Sequence, residues 1–98
     1  MKITTREVNG VVILDLDGKL IIGEGDVRLR EALIAALDGG SNRILVNLDR
    51  ATTIDSSGLG ELIRSKVTAT KRGAEVKLLH VNIKARKLLT MAMLVGVF

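Results

Sequence analysis

Two hydrophobic periodicities take turns along this chain of 98 residues, and glycine marks the changeovers. Runs of period two, the pattern of a half-buried strand, alternate with stripes of period 3.6, the pattern of an amphipathic helix. Residues 2–8 are polar and alternate poorly, and Asn9-Gly10 after them is a strong hairpin signal. In residues 11–16, Val12, Leu14 and Leu16 share one face, with Asp15 and Asp17 on the other. Gly18-Lys19-Leu20-Ile21-Ile22-Gly23 reads as a glycine-bounded connection. A helix is predicted from about residue 25 to 37, with Leu29, Leu33, Ala36 and Leu37 as its stripe, Asp26 near its start and Gly39-Gly40 at its end. Residues 43–48 read as a buried strand, and residues 57–71 as a second helix with Leu59, Leu62, Ile63 and Val67 inward. A strand over 76–81, a third helix over 83–93 and a final strand start complete the series. Strands alternating with helices imply βαβ units with right-handed crossovers. The expected class is α/β: a mixed, mostly parallel sheet of four to five strands packed with helices, the opening hairpin supplying the antiparallel pair.

Composition narrows what such a domain could do. There is no cysteine, which excludes disulfide scaffolds, thiolate zinc sites and iron–sulfur clusters. One Phe and no Trp or Tyr leave no aromatic platform for single-stranded nucleic acid. The net charge of +4 is spread over several segments as a solvated mixed surface, so we expect no nucleic-acid partner. No signal-peptide core precedes the first strand, and no stretch reaches the roughly 18 apolar residues of a membrane span. A cytoplasmic domain with no membrane insertion is the expectation. Residues 91–98 are apolar to the last position. An uncapped apolar end exposes adhesive surface, so residues 1–98 are expected to be one domain cut short at its C-terminus.

One segment looks unlike scaffold: Ile54-Asp55-Ser56-Ser57-Gly58-Leu59-Gly60-Glu61, just after a strand and opening a helix. Unpaired N–H groups point outward at a helix start and the macrodipole is positive, so the spot favours an anion. Ordinary capping accounts for one of Asp55, Ser56 and Ser57. It does not account for Gly58 and Gly60, each of which costs a helix about 0.8–1.0 kcal/mol relative to alanine. Close approach by another chain, or by the preceding strand, would offset that cost. Other chemistry is poorly served. The nucleophile elbow needs glycines on both sides of its serine, and here they only follow. His80 is the sole histidine and sits at a strand end. No P-loop is present, and Asp15, Asp17 and Asp49 lack metal-ligand spacing. We therefore expect no catalysis, no cofactor and no metal.

Ile54-Asp55-Ser56-Ser57-Gly58-Leu59-Gly60-Glu61-Leu62 resembles the signature of anti-sigma factor antagonists of the STAS domain family. Gly18-Lys19-Leu20, Arg43-Ile44-Leu45-Val46-Asn47-Leu48, Gly73-Ala74-Glu75-Val76-Lys77-Leu78-Leu79, Leu88-Leu89 and Leu94-Val95-Gly96-Val97-Phe98 are similar to its flanking segments, so the resemblance spans nearly the whole chain. The resemblance implies a STAS fold and a switch. Ser56 would be phosphorylated by an anti-sigma factor that is itself an ATP-dependent serine kinase, with Ser57 the alternative acceptor. Asp55, Ser56, Ser57, Gly58, Leu59 and Gly60 would form the partner-binding surface. A metal-dependent serine phosphatase would reset the switch, and the unphosphorylated form would free the sigma factor for transcription. The resemblance also leaves open a STAS module of a stressosome-like scaffold or of a lipid or anion transport system. One departure is Ile21, where many antagonists carry an acidic residue directly after Gly-x-Leu.

Overall fold

The computed structural model describes residues 1–81; the helix and strand start expected beyond them lie outside the described residues. Six elements follow in order: β1 (Lys2–Val8), β2 (Val11–Leu20), α1 (Gly25–Asp38), β3 (Arg43–Ile54), α2 (Ser56–Lys71) and β4 (Glu75–Leu79). The strands form one sheet in the order β1-β2-β3-β4. The β1/β2 pair is antiparallel, and β2/β3 and β3/β4 are parallel, so the sheet is mixed and mostly parallel, as expected. Asn9 and Gly10 both adopt positive φ, 51° and 79°. Their twist matches that of the flanking strands and sets Val8 opposite Val11.

Both helices cover one face of the sheet. Val12, Leu14, Leu16 and Leu20 of β2, Ile44, Val46 and Leu48 of β3 and Val76 of β4 meet Leu29, Leu33 and Leu37 of α1 and Leu62 and Ala69 of α2 in one buried cluster. The opposite face is mixed over its first three strands, with Val11, buried Ile13 and Leu45 towards the hairpin end and polar side chains beyond them. There Arg6 Nε donates to Asp15 at 2.7 Å, Asn47 Nδ2 donates to Asp15 at 2.8 Å, and the Asp49 N–H donates to Asn47 at 3.1 Å. Each helix ends on a left-handed glycine: Gly40 (φ 88°) after α1 and Gly73 (φ 75°) after α2. Paired back-bonds, Ser41 N–H to Ala36 O at 3.1 Å and Ala74 N–H to Ala69 O at 2.8 Å, satisfy the last carbonyls.

The structure corrects four boundaries or faces. Gly18, Lys19 and Leu20 are not a connection: they continue β2, with Leu20 fully buried. β3 runs to Ile54 rather than stopping at Leu48. The two extensions pair with each other, Asp17 with Arg50 through Leu20 with Ile54. This pairing needs two bulges. β2 advances two residues and β3 three between the Asp15/Asn47 and Asp17/Arg50 pairs, then one and two between Gly18/Ala51 and Lys19/Thr53. Each bulge flips the phase of β3, which is why Asp49-Arg50 and Thr52-Thr53 are exposed in tandem and no alternation could be read there. β4 ends at Leu79, and His80 leaves it in a left-handed conformation (φ 57°), exposed.

The fourth correction concerns α2. Its buried face is Gly58, Glu61, Leu62, Ser65 and Ala69, whereas Val67 is 44% exposed and Leu59 and Ile63 are half-buried. Counting apolar residues rotated the helix the wrong way. Close approach to the sheet is achieved with Gly, Ser and Ala, which a hydrophobic stripe does not register. The Ser65 hydroxyl is satisfied inside the helix, donating to the Glu61 carbonyl at 2.8 Å.

Candidate functional site

The long strands β2 and β3 end side by side, and α1 and α2 both start there. The sequence after Ile54 therefore turns from strand to helix directly above the end of β2. Asp55 is the N-cap of α2, with extended backbone (φ −95°, ψ −177°). Its Oδ1 accepts the Gly58 N–H at 2.8 Å, closing the first turn. Its Oδ2 accepts the Ile22 N–H at 3.0 Å, from the loop between β2 and α1. The Asp55 N–H in turn donates to the Leu20 carbonyl at 3.3 Å. One side chain thus caps a helix and ties it to a loop thirty-three residues earlier. These N–H donors, Gly58 first and Ile22 second, hold the Asp55 carboxyl below its ordinary value of 3.8.

The two serines that the sequence left equivalent are separated by the fold. Ser56 begins α2 and is exposed; Ser57 follows and is half-buried. Neither hydroxyl makes a hydrogen bond among the described residues. The two glycines are separated as well. Gly58 is buried, and a Cβ there would overlap the Leu20 carbonyl oxygen and lie 2.9 Å from Leu20 Cγ. The approach that Gly58 permits is internal, with β2 as the neighbour. Gly25, opening α1, has the same relation to the strand end: a Cβ would lie 2.6 Å from Leu20 Cα. Gly60 is different, since a Cβ there would meet only the Arg64 guanidinium, 3.5 Å away. Leu59 is half-buried beside it.

Two neighbours of the site carried no signal in the apolar pattern. Glu61 has only 3% of its side chain exposed and is held by Arg30 of α1 at 2.9 Å and Arg64 of α2 at 2.7 Å, so a buried carboxylate bolts the helices together behind Ser56. Its place on the Gly58/Glu61/Ser65 spacing was the available clue. Ile22, the residue whose N–H Asp55 holds, is 68% exposed.

The acid limb of the stability curve follows from these bonds. Arg6 first and Asn47 second hold the Asp15 carboxyl below its ordinary value of 3.8, as the N–H donors do for Asp55. A carboxylate depressed in the fold contributes stability in full above its unfolded value and loses it as pH falls through the folded one. Thermal midpoints should be flat from neutral pH down to about 5 and fall below about 4. Asp15→Asn should make that fall shallower in a pH series followed by circular dichroism. An unchanged slope would mean that the Arg6–Asp15–Asn47 bonds do not persist in solution.

Comparison with known proteins places this geometry. Residues 2–98 match the family model described as the STAS domain. No sequence among curated proteins matches the chain. Among solved structures, a Thermotoga maritima protein provisionally named an anti-sigma factor antagonist shares 25% identity at a TM-score of 0.83, over 94% of this chain and 79% of that one. The anti-sigma factor antagonist SpoIIAA, unphosphorylated, superposes with a TM-score of 0.75 at 22% identity, over 92% of this chain and 83% of its own. The phosphorylated form of SpoIIAA, from Bacillus, gives the same TM-score and identity, over 95% and 85%. A sulfate transporter family protein from Wolinella succinogenes has the fold too, with a TM-score of 0.76 at 21% identity, over 91% and 71%.

Proposed function

This chain belongs to the STAS domain family, and from that membership we propose that it is an anti-sigma factor antagonist switched by phosphorylation of Ser56. Unphosphorylated, it binds a kinase-type anti-sigma factor in the cytoplasm and releases the sigma factor; phosphorylated, it is let go, and a serine phosphatase restores it. The chain is substrate and ligand in this cycle, not catalyst. The observation that carries the reading is the exposed Ser56 at the first position of α2, next to a carboxylate that the fold itself holds in place. A kinase can reach this hydroxyl without unfolding the domain, whereas Ser57 is partly covered.

Phosphate fits the position electrostatically. It adds about −1.5 to −2 charges at neutral pH, and the helix start offers outward N–H groups and a positive dipole end. No refolding is required. SpoIIAA keeps one fold in its two states, each matching this chain at a TM-score of 0.75.

Incubation with the chain's cognate anti-sigma factor kinase and ATP should place a single phosphate on Ser56, read by mass spectrometry of the intact chain and its peptides. Ser56→Ala should abolish labelling and Ser57→Ala should preserve it. Phosphate found only elsewhere, Ser57 included, would overturn the assignment. The transporter-family neighbour supports a second reading, a STAS module attached to a transport system. Co-purification with transporter subunits and no kinase would favour it.

A further inference from the structure

We infer that Ile22 is an apolar anchor for the kinase-type anti-sigma factor, seated in a dry socket of that partner beside the site that receives Ser56. The inference rests on the functional reading above and adds the chemistry of the contact. Among the described residues Ile22 is the most exposed large hydrophobic, 68%, ahead of Val8, Val67 and Val27. An isoleucine on a floppy loop would be adhesive without being specific, but this one is fixed. Its N–H is held by Asp55 at 3.0 Å, and the carbonyl of Ile21 accepts the N–H groups of Glu24 at 3.4 Å and Asp26 at 3.3 Å, closing the loop on itself. The side chain is thus presented on a tied turn, with little ordering left to lose on binding.

Its position decides the occupant. Asp55 joins Ile22 by a hydrogen bond and Ser56 by a peptide bond. The backbone N–H of Ile22 and the carboxylate of Asp55, the residue preceding Ser56, are thus 3.0 Å apart, so a partner that closes over the first turn of α2 meets this loop as well. A partner lacking an apolar surface there would leave the isoleucine wet and gain nothing from it. Interface energetics concentrate on such central, fully desolvated anchors. The same Asp55 carboxylate orients both halves of the contact, so the anchor and the phosphoacceptor keep a constant spacing.

Ile22 can be truncated without harm to the fold, because its side chain is exposed and its structural bond is made by the backbone. Immobilised wild type, Ile22→Ala, Ile22→Leu and Val8→Ala chains are exposed to a lysate of the encoding organism, and the retained proteins are identified and quantified by mass spectrometry. Val8, the next most exposed large hydrophobic among the described residues at 46%, ends β1 at the hairpin, roughly 30 Å from Leu20. Wild type and Val8→Ala should retain an anti-sigma factor bearing a serine kinase domain. Ile22→Ala should weaken its binding about tenfold to a hundredfold, the loss expected for one buried isoleucine, and Ile22→Leu should recover most of it. Equal retention by Ile22→Ala, or an equal loss in Val8→Ala, overturns the anchor while leaving the switch intact. Wild type retaining no such kinase overturns the functional reading, and the anchor with it.

Discussion

Gly58→Ala should lower the stability of this domain by about 3 kcal/mol or more, the upper range for forcing an extra methyl into a packed site. The added carbon would overlap the Leu20 carbonyl oxygen, which is backbone and already accepts the Asp55 N–H. A flexible side chain could move aside; a carbonyl at the end of a paired strand cannot move without breaking the Leu20/Ile54 register. For a domain of this size the loss corresponds to a fall of roughly 10–20 °C in thermal midpoint. Gly60→Ala, in the same turn, should do the opposite and gain about 0.5–1 kcal/mol. Its Cβ meets only the Arg64 guanidinium, 3.5 Å away, and alanine costs the helix less entropy. Thermal and urea denaturation of the two variants, followed by circular dichroism at 222 nm, give the two signs directly. A wild-type midpoint for Gly58→Ala would mean that α2 does not rest on the end of β2.

Phosphorylation of Ser56 should weaken the complex with the anti-sigma factor by a hundredfold or more. In the proposed complex the first turn of α2 is buried against the partner, and the phosphate would bring into it a dianion beside Asp55, whose own charge is kept by the N–H groups of Gly58 and Ile22. Leaving an unpaired charge in an interface costs several kcal/mol, and each 1.4 kcal/mol is about tenfold in affinity. Titration calorimetry with the purified partner, comparing the kinase-treated and untreated chain, measures the ratio. Ser56→Asp should give a smaller loss, since aspartate is shorter and carries one charge. Phosphorylated chain binding as tightly as unmodified chain would remove the basis of the switch.

How much of this could be read from residues depended on whether a residue's role was local. Asn9-Gly10 announced its hairpin because positive φ at both positions is a property of those two residues. The Leu29/Leu33/Leu37 stripe of α1 was legible because large apolar residues form its buried face. The stripe of α2 was not, because its buried face is built from Gly58, Glu61, Ser65 and Ala69. The extension of β3 beyond Leu48 was hidden by two bulges that break the alternation on which strand reading relies.

By itself the sequence determined the class of fold, the order of its elements and the place of the Asp55–Gly60 segment at a helix start, since periodicity, turn chemistry and capping act over a few residues. Tertiary structure alone decided how that segment is arranged. It separated exposed Ser56 from half-covered Ser57, turned Gly58 inward against Leu20 while leaving Gly60 open, and joined Asp55 to Ile22 across thirty-three positions. The reason is physical. Exposure, steric overlap and hydrogen bonding between distant segments belong to the packing of β2 against the two helix starts, and no window of neighbouring residues contains both sides of those contacts.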